Sequence, residues 1–299
     1  MTDPDRAAER AIDFRPLTEP VDQRLVPAYD AELHRRAGLR APSGGSGAGC
    51  FVAIALPIGL LFAGAFWMGY ASRPTEWGWA LVAGLILVGT FVLCVRAIVV
   101  GAQNAAQMPS RRYRVARFAE ANGLTFELVE QGPEPAGLLL GKGSDGRLER
   151  VLRWPDDGIE AGTYHYVTRS VKSTTPWSYD YARIRGLGSA PELFVDVRST
   201  GSRRRLYRPM HSYGARTGLD APGGAHFTMW TLPRSTARAR RFVDDELLEL
   251  LALRDVNLEL AGDDAFVYLR LDTMVPMTDP DLWRWLLDLA AVLRERARA

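Results

Sequence analysis

Cysteine is nearly missing from this chain: only Cys50 and Cys94 occur in its 299 residues. Two thiols make no disulfide framework, so any soluble domain must rest on an ordinary apolar core. Both lie inside apolar runs and read as small packing residues. Lysine is as scarce. Lys142 and Lys172 are the only two, and arginine supplies nearly all the positive charge. Histidine occurs as His34, His165, His211 and His226, with no pair at metal-ligand spacing. His-Glu-x-x-His, Cys-x-x-Cys and Gly-x-Ser-x-Gly are all absent, which removes the zinc-site and nucleophile-elbow readings. Gly137-Leu138-Leu139-Leu140-Gly141-Lys142-Gly143-Ser144 has three residues between its first two glycines and a glycine after the lysine. A phosphate-binding loop needs four and a Ser or Thr, so this stretch reads as a turn. Asp244-Asp245-Glu246 reads as a helix start and Asp263-Asp264 as a turn. No catalytic residue, cofactor or metal ligand is expected anywhere.

What the chain has in abundance is uninterrupted apolar sequence. Cys50–Tyr70 and Trp77–Val100 carry no acid, and their only base is Arg96. Each suffices for a helix across a bilayer core, which takes about 20 residues. A six-residue link, Ala71–Glu76, joins them into an expected two-helix transmembrane hairpin. Arg35, Arg36 and Arg40 precede it, while Arg111, Arg112, Arg114 and Arg117 follow. The link holds only Arg73. Positive flanks face the cytoplasm, so both termini are expected there, in a multi-pass protein of the cell (plasma) membrane. Trp67, Tyr70, Trp77 and Trp79 would sit at the opposite interface. No ionisable group falls mid-span, which excludes an ion or proton path within the hairpin and leaves anchoring as its role. Small residues at four-residue spacing (Gly59/Ala63, Ala65/Gly69, Ala80/Gly84) suit close helix contact, within the chain first and in a homodimer second.

Outside the hairpin lie two further parts. Residues 1–49 form a charged, loosely ordered cytoplasmic segment with a short helix near Tyr29–Ala37 and a Gly/Ser linker at 42–49. Residues 105–299 are long enough for one cored domain. Ser110 starts a helix there that stops at Asn122-Gly123. Strands are expected at Leu124–Val129, Gly137–Leu140, Leu148–Trp154, Thr163–Thr168, Ser178–Arg185, Glu192–Arg198, His226–Leu232, Asn257–Leu260 and Ala265–Leu271. Helices follow at Arg241–Leu253 and Asp279–Arg298. Gly137–Leu140 and Leu148–Trp154 read as a hairpin, and Tyr164, Tyr166, Tyr179 and Tyr181 as a cross-strand aromatic ladder. The class is α+β: an antiparallel-sheet domain with C-terminal helices.

Three stretches resemble a known group: Tyr113-Arg114-Val115-Ala116-Arg117-Phe118-Ala119-Glu120-Ala121-Asn122-Gly123-Leu124, Leu152-Arg153-Trp154-Pro155 and Asp264-Ala265-Phe266-Val267-Tyr268-Leu269. They are similar to an uncharacterised actinobacterial family of two-span membrane proteins. The resemblance runs over residues 50–290. It implies a hairpin followed by a cytoplasmic α+β domain of unknown function, and it transfers no functional residue.

Charge is the remaining signal. Arg198–Arg241 holds ten arginines and one acid, Asp220, a formal +9, whereas Phe242–Ala299 holds six bases and thirteen acids, a formal −7. The net +2 therefore hides a polarised domain. Three readings stay open: basic loops against acidic helix faces, attraction to anionic lipid headgroups, and a membrane protein partner. Nucleic acid is not expected, because no reader fold surrounds the arginines. Arg203, Arg204, Arg205 and Arg208 form the candidate lipid or partner patch. The leading expectation is a membrane-anchored, non-enzymatic binding protein. Its alternatives are a subunit of a larger membrane complex and a cryptic enzyme with a pocket around His165, Tyr166 and Trp177.

Overall fold

The computed structural model describes residues 12–39, 68, 77–131, 137, 144–170, 173–188, 190–198, 214–222, 224–269 and 277–299. They divide into two compact units, one holding residues up to Val21 together with Arg112–Ala299, the other Asp22–Arg111. The first apolar run lies outside the described residues except for Met68, and so does the linker at 42–49.

In the second unit, α2 (Val26–Arg36) carries Pro27 in its first turn, where a missing N–H costs nothing, and basic side chains in its last. Its Glu32 accepts from both Arg35 and Arg36. The long helix α3 (Trp77–Asn122) begins here. Among the described residues it is the one helix long and apolar enough to cross a membrane, with an unburied window at mean hydropathy 1.5 within Val88–Asn122. Leu85, Val88, Phe91, Val92, Leu93, Val95, Val99 and Val100 are all exposed.

The helix start expected at Ser110 is not what forms. The helix runs on through Pro109, and Ser110 Oγ donates to Gln23 Oε1 at 3.3 Å instead of capping. Packing outweighs the local signal: Val115, Ala116, Phe118 and Ala119, one to three turns later, are buried and hold the helix in register. Its end is the expected one. Gly123 takes a left-handed φ of 68°, and Leu124 N–H reaches back to Ala119 O at 2.8 Å.

The first unit is α+β, built on one nine-stranded, wholly antiparallel sheet. Its strands are β1 (Thr125–Gln131), β2 (Ser144–Trp154), β3 (Ile159–Arg169), β4 (Thr174–Ile184), β5 (Leu193–Arg198), β6 (Ala215–Asp220), β7 (His226–Thr231), β8 (Asn257–Ala261) and β9 (Asp264–Tyr268). Their spatial order is β1-β2-β3-β4-β9-β8-β5-β7-β6. The expected partner of β2, Gly137–Leu140, lies outside the described residues beyond Gly137. Instead β2 pairs with β1 and β3. β6 escapes sequence reading because Ala-Arg-Thr-Gly-Leu-Asp has a glycine and little apolar content. Among the described residues it forms at the sheet edge, paired only with β7.

Helices α4 (Thr236–Phe242), α5 (Asp245–Arg254) and α6 (Pro280–Arg298) belong to the same unit. The expected single helix over Arg241–Leu253 is two. Asp244 turns extended (φ −101°, ψ −177°), and its side chain accepts from Leu247 N–H at 3.0 Å, starting a new helix.

Alternation along each strand sends one set of side chains to the helices. Leu152, Trp154, Ile159, Ile184, Val195, Met229, Leu258 and Val267 meet Phe118, Leu247, Leu251, Trp283, Leu286 and Leu289 in the main core. At its centre Phe118 stacks on Trp283 (5.9 Å) and meets Trp154 edge-on (5.9 Å).

The described stretch leading to Val21 packs on the domain. Helix α1 (Arg15–Thr18) buries Leu17, Phe14 stacks on Phe118 at 5.8 Å, and Arg284 lies 4.7 Å over the Phe14 ring. Asn122 accepts from Asp13 N–H and donates to Asp13 O, while Arg114 donates to Leu17 O at 2.7 Å.

Replacing Phe118 by Ala should destabilise the domain by about 3–5 kcal/mol, a buried-aromatic truncation. Denaturant unfolding followed by tryptophan fluorescence measures it, since Trp154 and Trp283 flank the site.

Candidate functional site

The proposed patch Arg203, Arg204, Arg205 and Arg208 lies outside the described residues, as does His211. The basic segment re-enters view at Arg216 in β6 and again at the 3-10 turn Pro233–Ser235 and α4. Ala239 and Phe242 anchor α4 in the core, and Arg234, Arg238, Arg240 and Arg241 stand exposed around them.

Several arginines elsewhere in the domain are ion-paired. Arg147 pairs with Glu149, Arg169 with Asp145, Arg183 with Asp264 and Arg254 with Asp279. Arg296 holds both Asp244 and Glu246, at 2.6 and 2.7 Å. The acidic C-terminal part thus satisfies Asp244, Glu246, Asp279 and Asp281 with arginines of its own, including Arg284 at 2.5 Å. Arg234, Arg240 and Arg241 have no ion-pair partner among the described residues.

The sheet face away from the main core is aromatic and charged. A single register row crosses eight strands: Arg153, Glu160, Arg183, Phe266, Glu259, Phe194, Trp230 and Arg216, each opposite the next. Glu160 and Glu259 are buried. Burial alone would push the Glu160 carboxyl up, but hydrogen bonds from Tyr181 Oη (2.7 Å) and Arg153 Nε (2.8 Å) overcome it and hold it below the ordinary value. Tyr268 Oη donates to Glu259 Oε2 at 2.5 Å. Arg153 also reaches Glu127 and Glu130, and Arg216 lies 5.4 Å over the Trp230 ring. Gly137 comes down on this face so closely that a Cβ there would lie 2.8 Å from Tyr268 Oη.

The aromatic ladder forms as the alternation predicts. Tyr164 opposes Tyr179 and Tyr166 opposes Trp177. Tyr166 stacks on Tyr164 at 5.5 Å and on Tyr179 at 5.7 Å, with the Tyr166 and Tyr179 hydroxyls 3.0 Å apart. Burial raises the hydroxyl pKa of Tyr166, Tyr179 and Tyr181. Near neutrality these hydroxyls keep their protons and can donate hydrogen bonds.

The pocket imagined around His165, Tyr166 and Trp177 does not assemble. Tyr166 and Trp177 share the aromatic face, with rings 6.4 Å apart. His165, one residue along the strand, points to the other face. Its Nε2 lies 3.0 Å from Glu149 Oε2. Of the other histidines, His34 packs against its own helix at Asp30 O, and exposed His226 pairs with Asp220. Among the described residues no cluster of His, Cys, Asp and Glu could hold a metal. An apolar cavity between β3, β4 and α6, lined by Ala161, Asp180, Leu282, Trp283, Trp285 and Leu286, has a volume of about 20 Å³. Ligand pockets usually run to about 300–1,000 Å³.

No protein-family model matches the chain. No curated protein matches it by sequence. Among solved structures it is similar to the crystal structure of the mycobacterial trehalose monomycolate transport factor A, TtfA, at 13% identity and a TM-score of 0.39, over 63% of this chain and 94% of that one. The likeness is too distant to transfer a role.

Glu160 yields a signed pH prediction. Its carboxyl sits below its ordinary value when folded, so its stabilisation is complete above that value and lost as pH falls through the folded one. Glu160→Gln should cost about 2 kcal/mol at neutral pH, the scale of hydrogen bonds to a charged group. The gap between variant and parent should shrink on acidification, read from denaturant midpoints at neutral and acid pH.

Proposed function

We propose that this chain is a membrane-anchored binding protein, held by a hairpin of 50–70 and 77–100 with both termini cytoplasmic, whose domain engages the anionic membrane surface or a protein partner. The observation that carries this reading is the exposed apolar length of α3, where Arg96 is the only charged side chain between Trp77 and Val100. Water does not tolerate so continuous an apolar surface, and lipid does. The flanking arginines support the orientation. The resemblance to two-span actinobacterial proteins agrees with it.

A binding role is favoured over catalysis by the site chemistry. His165 faces away from Tyr166 and Trp177, the tyrosines hold their protons, and the cavity beside α6 is water-sized. Arginines without acidic partners remain as the chemistry on offer. A second reading, a subunit of a larger membrane complex, draws on the same exposed α3 face, where Gly84 and Gly89 leave room for a neighbouring helix.

Alkaline extraction of native membranes should leave the full chain in the pellet, while deletion of 50–100 releases it. Val88→Asp should raise the apparent cost of inserting the second span by about 2.5–3.5 kcal/mol, measured in a glycosylation-based insertion assay. Release of the parent chain by alkali would refute the anchor. A constant cross-linked partner at the spans would favour the complex.

A further inference from the structure

We infer that the domain's contact surface for the membrane is the arginine patch of the 3-10 turn and α4, Arg234, Arg240 and Arg241, and that its ligand is the phosphate of anionic lipid headgroups. This rests on the anchoring proposed above and names the surface and the ligand chemistry.

Geometry comes first. Ala239 and Phe242 are buried, so the short helix is fixed by its apolar side and its arginines are presented without a folding cost on contact. All three guanidinium side chains are exposed and lack an ion-pair partner among the described residues. The domain has acids enough to neutralise them, yet Asp244 and Glu246, a few residues away, are turned to Arg296 on α6. Local charge therefore stays positive where the chain could have cancelled it.

The choice of lipid over protein follows from what surrounds the patch. Protein interfaces centre on apolar and aromatic anchors. Among the described residues of this unit, the exposed large apolar side chains are Trp177 on β4 and Leu253 at the end of α5, and none belongs to the 3-10 turn or α4. A basic surface without an apolar centre fits headgroup phosphates, which guanidinium forks bind through paired N–H donors. A chain with its own span keeps such phosphates constantly at hand. Each arginine near an anionic surface should strengthen contact roughly fivefold at low salt, and together the three about a hundredfold.

The test uses the full chain in nanodiscs. A donor fluorophore is attached at exposed Ala237→Cys in a Cys50→Ser, Cys94→Ser background, and an acceptor is carried on lipid headgroups. In an equal mixture of phosphatidylglycerol and phosphatidylcholine, energy transfer should be high at low salt and fall as salt screens the surface. It should be low in phosphatidylcholine alone, and also in the anionic mixture for Arg234→Gln, Arg240→Gln, Arg241→Gln together. The same substitutions at the ion-paired Arg147, Arg169 and Arg254 should leave it unchanged. Equal transfer in the two lipid compositions, or transfer that survives the triple substitution, overturns the patch. So does transfer in the anionic mixture that appears only when a soluble protein is added, because the ligand is then protein. Failure of the chain to enter nanodiscs refutes the anchor instead, so the two failures are distinguishable.

Discussion

Two glutamates inside a sheet, Glu160 and Glu259, set the terms on which the domain folds. A buried carboxylate is tolerated only when it is paired and hydrogen-bonded. Tyr181 and Arg153 supply this for Glu160, and Tyr268 donates to Glu259. All of these groups lie on the same face and belong to neighbouring strands. A slip of one residue in any pairing would turn a glutamate toward the helices and strand it among Leu152, Val267 and Trp283. The charged row from Arg153 to Arg216 is thus a register device as well as a surface.

The opposite face follows from the same alternation. With the buried glutamates on one side, β2, β3, β4, β5, β7, β8 and β9 give most of the other to apolar side chains, and Phe118 and α6 pack against them. Phe118 matters doubly. It belongs to the helix that begins as the apolar run at Trp77, so one continuous element contributes a lipid-compatible stretch and a core residue. It also carries the Phe14 stack and thereby recruits a segment more than a hundred residues upstream in the chain.

Charge polarisation acquires a different meaning once the ion pairs are known. Segment totals of +9 and −7 invite the picture of two halves neutralising each other. Four acids of the C-terminal part instead find arginines of that part, as Asp244 and Glu246 find Arg296. Arg234, Arg240 and Arg241 are left exposed beside the anchored helix α4, without an ion-pair partner among the described residues.

Much of this was legible in the amino-acid order. Apolar run length identified an element suited to lipid, strand alternation placed the tyrosine ladder, and Asn122-Gly123 ended α3 where it ends. These are local properties, decided by period, length and turn chemistry. Others were decided only by tertiary contact. Ser110 read as a helix start, yet the helix runs through it, with Val115 and Phe118 packed beyond. β6 had no strand signal until β7 lay beside it, and β2 found β1 where a turn-rich stretch had suggested a nearer partner. Counting charges located the basic segment without showing which arginines would be left unpaired, because pairing depends on which side chains meet in space. Sequence by itself determined most of the elements, their amphipathic faces and the sign of charge in each segment. Tertiary structure alone decided which groups neutralise each other, since Coulomb attraction and hydrogen bonding fall off over a few ångströms and ignore separation along the chain.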